Sequence, residues 1–336
     1  MSEKQLGVVF AFTVLILVIL GRSESILGED PSLKKTEFAT ASLVAQSEPA
    51  ITPVGNQKVR VKEPKDVSIP QKSASPTSSP KQVDEAVEKA AKEPRINYPI
   101  LNAAAFLVAD LERKDNISEF KANQRWPIAS ITKLMTALVA LQNIPSEEKI
   151  TITDYALSTE GPAGDFKLGE IFTLLDLVKA LIVSSSNDAA AAIQDFYGRG
   201  KFISIMNERA RALNMLNTNF NEPSGLSAIN QSTANDLKIL VNYIYENQRN
   251  ILDISTEKEI SILDLNSNSS RILRNINLFA GDPDFLGGKT GFINESGGNL
   301  VAVFLRSRRP IITVVLGAGD RFEETKKLMR WLDDTL

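Results

Sequence analysis

The chain has 336 residues, 43% apolar and 24% charged, and it contains neither cysteine nor histidine. Those absences exclude disulfides, thiol nucleophiles, Cys- or His-ligated metals and any scheme built on an imidazole base, which leaves Lys, Asp, Glu or Tyr as general base. Thirty-eight Lys plus Arg against 41 Asp plus Glu give a net charge of −3, which argues against a nucleic-acid partner.

The first element is an uncharged apolar run, Leu6 to Leu20, preceded by Lys4 and followed by Gly21-Arg22. At about 1.5 Å per residue it covers roughly 22 Å, short of the ~30 Å hydrocarbon core. It reads as a cleaved signal peptide or an uncleaved N-terminal membrane anchor, with the anchor (residues 1–21) favoured, and both imply export. Arg22 to Arg95 holds eight of the 15 prolines and one aromatic residue, Phe38. Such a segment cannot bury enough apolar surface to offset its chain entropy, and a disordered tether is expected over 22–95.

Residues 96–336 carry the globular part. Ala103 to Asp110 is predicted as a buried strand, followed by a turn at Arg113–Asn116 and a second strand. Helices are predicted over Ser130–Gln142, Thr173–Val183, Asn187–Tyr197, Phe202–Leu213 and Thr233–Glu246. Strands return at Leu286–Ile293, Asn299–Arg306 and Ile311–Leu316, and a helix is expected from Arg321 to Leu336. Short links between the last three strands require antiparallel pairing. The fold class is α+β, an antiparallel sheet built from both chain ends around a helical insertion.

Three segments could carry chemistry. Ser130 and Lys133 stand three residues apart on one helix face, with Ser130 near the helix start, where free N–H groups favour negative charge. A lysine in a dry site can take the serine's proton. Alone, the tetrad reads as a helix cap beside a solvated lysine. Ser184-Ser-Ser-Asn-Asp188 likewise reads, alone, as a capping cluster. Gly287-Gly-Lys-Thr-Gly-Phe292 lies within a predicted strand, where glycine marks close approach of a ligand or backbone. A phosphate loop would need a following helix, and a strand follows instead.

In that order, Ser-x-x-Lys, Ser-x-Asn and Lys-Thr-Gly resemble the signature of the penicillin-recognising serine peptidases and β-lactamases. More narrowly, the chain resembles the D-alanyl-D-alanine carboxypeptidases across roughly Asn97 to Leu336. Pro223-Ser-Gly-Leu226, Ser232-Thr-Ala234 and Leu316-Gly-Ala318 add to the likeness. The resemblance implies a β-lactamase/DD-peptidase-like fold and a serine carboxypeptidase that trims D-alanine from peptidoglycan stem peptides through an acyl-enzyme. Ser130 would attack, Lys133 would accept its proton, and Ser185 would relay a proton to the leaving amine. Asn187 would hold substrate backbone and Lys133. Lys289, Thr290 and Arg321 would bind the substrate carboxylate, while backbone amides of Ser130 and Phe292, the latter next to Gly291, would form an oxyanion hole. Repulsion from Lys289 is expected to help keep Lys133 unprotonated. β-Lactams would act as covalent inhibitors, and no cofactor or metal is implied.

Two positions depart from the family pattern. Ser186 stands where the family usually has Gly, and Phe292 stands where it has a polar residue. The chain also stops soon after the last predicted helix, without the family's frequent C-terminal β-rich domain, so membrane attachment is expected through the N-terminus alone. A D,D-endopeptidase cutting cross-links, a β-lactamase and an inactive wall-binding module are the competing functions. The β-lactamase lacks its deacylating glutamate, since neither Glu208 nor Glu222 has the required spacing.

Overall fold

A computed structural model describes residues 99–161 and 164–335. The apolar run at 6–20 and the tether at 22–95 lie outside them. Among the described residues, no helix is long and apolar enough to cross a membrane.

The chain begins with β1 (Ala105–Asp110) and β2 (Asn116–Phe120), then β3 (Trp126–Pro127) and a single 3-10 turn, Ala129–Ile131. Next come α1 (Thr132–Asn143), β4 (Lys149–Thr151), α2 (Asp154–Leu157), β5 (Ile171–Thr173), α3 (Leu174–Val183), α4 (Asn187–Tyr197) and α5 (Arg199–Ala212). β6 (Gln231–Ser232), α6 (Ala234–Asn247), α7 (Asn250–Thr256) and the hairpin β7 (Glu259–Asp264) to β8 (Ser269–Arg274) complete the insertion. The chain then returns through β9 (Phe285–Ile293), β10 (Gly297–Arg306), β11 (Arg309–Ala318) and α8 (Arg321–Thr335).

The main sheet has the order β2-β1-β11-β10-β9 with antiparallel neighbours throughout, so both chain ends build it, as expected. Every residue of β1 is buried because both sheet faces are covered. Leu107 packs with the helical insertion, while Phe106 and Val108 pack with Leu328 and Leu332 of α8. Ser307 and Arg308, both at positive φ, make the two-residue turn that brings Arg306 opposite Arg309.

Helix starts follow the capping residues. Thr173, Ser186 and Thr233 accept hydrogen bonds from the amides of Asp176, Ala189 and Asp236. The structure departs from the sequence expectation in several places. Ser130 sits in the 3-10 turn and the α-helix begins two residues later. α5 starts at Arg199 rather than Phe202, because Gly198 at φ +101° ends α4 and opens α5 in one residue. The β7–β8 hairpin and α7 were not anticipated.

Candidate active site

Ser130 is placed by the segment before it. The Trp126 indole donates to the Ser296 carbonyl (2.9 Å), and the buried Asn299 amide donates to the Pro127 carbonyl (2.9 Å) while accepting from Gly317 N (2.9 Å). The Ile128 amide donates to the Asn230 carbonyl. The chain then passes through Ala129 at φ +50°, a conformation that costs a non-glycine residue on the order of 1 kcal/mol or more. Three sets of bonds to separate segments hold it there.

One turn on, Lys133 is fully buried in α1. Its Nζ lies 2.9 Å from Ser130 Oγ, 2.7 Å from Asn187 Oδ1 and 2.5 Å from the Ser224 carbonyl oxygen. A protonated amine donates to all three. A neutral amine has two protons, and the amide and carbonyl oxygens can only accept, so they take both. The lone pair then faces Ser130, whose hydroxyl becomes the donor. The cage therefore aims the base at the nucleophile.

Burial brings Lys133 from 10.5 down to about 7, against the opposing charge of Glu222. That lowering favours the neutral amine by on the order of 5 kcal/mol. A substantial share of the molecules then carries a free amine at neutral pH, against roughly 1 in 2,500 for an ordinary lysine.

The second wall is Ser185 and Asn187. Ser185 is held at φ +60° and its Oγ accepts from Lys289 Nζ at 2.9 Å. Asn187 is committed on both sides: its Oδ1 accepts from Lys133, and its Nδ2 donates to the Glu160 carbonyl (2.6 Å). Thr159, the residue before Glu160, donates to Asp188 (2.6 Å), and burial raises the Asp188 carboxyl above its usual range. Ser186 is fully buried and caps α4 through its hydroxyl, so a serine has a structural use at that position.

β9 supplies the third wall. Lys289 is buried, and its amine also donates to the Thr290 carbonyl (3.0 Å). Its proton affinity is pushed well below the lysine range, by burial first and then by Lys133 and Arg321. Burial is the leading cause at Lys133, opposed by the charge of Glu222, and the repulsion between the two lysines works in the direction expected of Lys289. Thr290 is buried and Phe292 is 58% exposed. Gly291 has no room for a Cβ, which would lie 3.1 Å from Ser130 N, and this approach brings β9 against the nucleophile's amide.

Arg321 opens α8. Burial lowers its proton affinity, and its Nε is buried without a hydrogen-bond partner. A buried guanidinium N–H with nothing to bond is costly, and beside Lys289 it is a place for an anionic oxygen. The structure thus joins Ser130, Lys133 and Asn187 in one hydrogen-bonded set and Ser185 and Lys289 in a second, with Thr290, Gly291, Phe292 and Arg321 adjoining.

Sequence reasoning missed the parts that act through backbone: the carbonyls of Ser224 and Glu160, and the Glu222 carboxylate that ties down the Ser224 turn. The run Glu222-Pro-Ser-Gly225 held the available signal, an acceptor side chain starting a proline–glycine turn.

Against known proteins, residues 88–320 match the sequence profile of the D-alanyl-D-alanine carboxypeptidase family. The chain is 33% identical over 260 residues to the D-alanyl-D-alanine carboxypeptidase DacC of Escherichia coli, an alignment covering 72% of this chain and 64% of that protein. It is 32% identical over 260 residues to a D-alanyl-D-alanine endopeptidase of the same organism, covering 74% of this chain and 83% of the relative. Among solved structures, it resembles penicillin-binding protein D2 of Listeria monocytogenes in the cefotaxime-bound form. That likeness has a TM-score of 0.62 and 28% identity, over 69% of this chain and 97% of the other.

Proposed function

Since the chain belongs to the D-alanyl-D-alanine carboxypeptidase family of serine peptidases, we propose that it removes the terminal D-alanine of peptidoglycan stem peptides through an acyl-enzyme on Ser130. The observation that carries this reading is the cage on Lys133, which leaves the amine's lone pair one direction to face. Ser130 Oγ attacks the penultimate carbonyl carbon as its proton passes to Lys133. The amides of Ser130 and Phe292 receive the developing oxyanion. The C–N bond then breaks, and the leaving amine takes a proton relayed from Lys133 through Ser185. Water next attacks the ester carbonyl, Lys133 again accepting the proton, and Ser130 leaves as the alcohol. Lys289, Thr290 and Arg321 hold the carboxylate of the departing residue, the partner that the buried Arg321 Nε lacks.

A D,D-endopeptidase is the second reading. The match spans more of the endopeptidase than of the carboxypeptidase, and a cross-linked leaving residue keeps a free carboxylate for the same anchor. Products separate the two. Free D-alanine from a monomeric pentapeptide supports the first reading, and monomers from a cross-linked dimer support the second. If purified protein releases neither and takes no penicillin adduct on Ser130, both are wrong.

The apolar run at 6–20 and the proline-rich 22–95 support an exported enzyme tethered at the outer face of the cytoplasmic membrane. Protease added to intact spheroplasts is then expected to release a fragment beginning near Arg95. Protection until lysis would place the domain inside.

A further inference from the structure

Among the described residues, Glu222 is the carboxylate whose charge bears on Lys133, and the reaction above gives it no task. Its surroundings rule out the role a glutamate takes in activating water, because its oxygens are occupied. Oε1 accepts from the amides of Gly225 (2.6 Å) and Ser227 (3.3 Å) and from Asn230 Nδ2 (3.0 Å). Oε2 accepts from Ser224 N (2.6 Å) and Ser224 Oγ (2.5 Å).

Those bonds fold 222–227 into a turn around the carboxylate, and the turn is pinned to α1 at two points. Thr136 Oγ1 donates to the Pro223 carbonyl (2.6 Å), and Asn230 Nδ2 donates to Thr132 Oγ1 (3.1 Å). Between these pins the Ser224 carbonyl points at Lys133 Nζ. We propose that Glu222 is a positioning residue for Lys133: its carboxylate fixes the turn that seats the Ser224 carbonyl on the lysine amine, and its charge partly offsets the burial of that amine. The proposal rests on Lys133 being the base for Ser130.

Two consequences follow from separate properties of the side chain. The hydrogen bonds set where the lone pair points, which governs the maximal acylation rate. The charge sets how readily the amine keeps its proton, which governs where in pH the rate rises. The other charged groups near Lys133 do not supply that charge. Asp188 on α4 is bonded to Thr159, while Lys289 on β9 and Arg321 on α8 carry no negative charge in either protonation state. A glutamine at 222 would remove the charge and set an amide N–H against the donors of the turn. An aspartate would keep the charge on a shorter arm. Ser227, whose amide already reaches Glu222, offers a third route: a lysine there would oppose the charge, keep every donor to Glu222 and give up only the bond that Ser227 Oγ accepts from Ile229 N.

The test is the pH dependence of benzylpenicillin acylation, followed by mass spectrometry of the Ser130 peptide. This readout is independent of which peptide bond the enzyme cuts. Wild-type acylation is expected to rise through one inflection. In Glu222→Gln the inflection is expected to fall by about half a unit to one unit, with a plateau at least about tenfold lower. Glu222→Asp is expected to keep the wild-type inflection while losing part of the plateau. Ser227→Lys is expected to lower the inflection and keep most of the plateau, which preserves the test if the glutamine variant does not fold. Should Ser227→Lys and every folded Glu222→Gln sample keep the wild-type inflection, or should Glu222→Asp shift as far as the glutamine, the assignment is overturned. A wild-type protein that takes no adduct at any pH would overturn the role of Lys133 together with it.

Discussion

Gly225 and Gly291 close on the same peptide bond, the one that ends at the amide of Ser130. A Cβ on Gly225 would lie 2.0 Å from the Ala129 carbonyl oxygen and 2.8 Å from Ser130 N, and one on Gly291 would lie 3.1 Å from that nitrogen. Gly225 belongs to the turn organised by Glu222, and Gly291 to the strand that carries Lys289. The turn that orients the base and the strand that supplies the carboxylate anchor thus register against each other through the nucleophile's own backbone.

The first prediction concerns that contact. Gly225→Ala meets backbone on a residue already at φ +88°, so neither rotation nor side-chain movement relieves it. Acylation by penicillin is expected to fall by about 100-fold or more, the scale of an ångström-sized misplacement of a reacting group. In Gly291→Ala the closest approach is 2.8 Å, to the Ile128 carbonyl oxygen, a milder clash than the 2.0 Å at Gly225, and the loss is expected to be smaller. Thermal unfolding of both proteins checks that the comparison is made on folded enzyme. Near-normal acylation in Gly225→Ala would show that the turn can retreat without moving Ser130.

The second prediction divides the carboxylate anchor from the base. Arg321→Ala is expected to weaken KM for a peptide ending in a free carboxylate by about tenfold or more, the range of one charge-assisted hydrogen-bond pair. The same peptide with an amidated C-terminus is expected to be cut equally by both proteins, because it never engaged the guanidinium. Lys133→Ala is expected to abolish turnover of both peptides. If Arg321→Ala slows both equally, Arg321 supports the fold and not the substrate.

The same residues show how far the sequence could be read. Ser130, Lys133, Ser185, Asn187 and Lys289 were legible because each motif constrains side-chain type at fixed spacing, and the structure bonds Lys133 to Ser130 and Asn187, and Lys289 to Ser185. The sheet was legible because β1, β10 and β11 are apolar on both faces over most of their length. The β7–β8 hairpin was not, because Glu259–Asp264 and Ser269–Arg274 expose much of their length and so lack a continuous apolar pattern. Ser224 and Glu160 act through carbonyl oxygens, a group every residue owns, so side-chain identity gives no hint of them.

The third prediction is one of acid stability. Asp264, at the end of β7, is buried; its carboxylate accepts from the amides of Ile171, Asn266 and Ser267 and from the Ser267 hydroxyl. Burial pushes it up, but those bonds together outweigh burial and bring it to about 2. A depressed carboxyl adds stability that is fully present above its unfolded value of about 3.9 and lost as pH falls through about 2. Asp264→Asn is therefore expected to cost about 1–3 kcal/mol at pH 7, in line with hydrogen bonds to a charged acceptor. The gap is expected to narrow between about pH 4 and pH 2 in urea denaturation. A gap that stays constant down to pH 2 would mean that charge is not what these donors recognise.

The last prediction asks what sets the working pH of the base. Lys133 is lowered to about 7 by its enclosure in α1, so acylation is expected to rise with pH and level off above about 8. The direction is fixed by chemistry, since only the neutral amine can take the Ser130 proton. The same lowering makes the buried lysine a burden on folding below about pH 7, relieved as pH climbs toward its unfolded value of about 10.4. Lys289→Gln tests the cause. If repulsion from Lys289 held Lys133 neutral, its loss would carry the inflection upward by a unit or more. With burial as the leading cause and repulsion from Lys289 beside it, the inflection is expected to rise by less than about a unit. The rate on carboxylate-bearing peptides is still expected to drop, because the anchor has gone. Acylation profiles of both proteins at one ionic strength decide the matter, and a large upward shift in Lys289→Gln would return the control of the base to the second lysine.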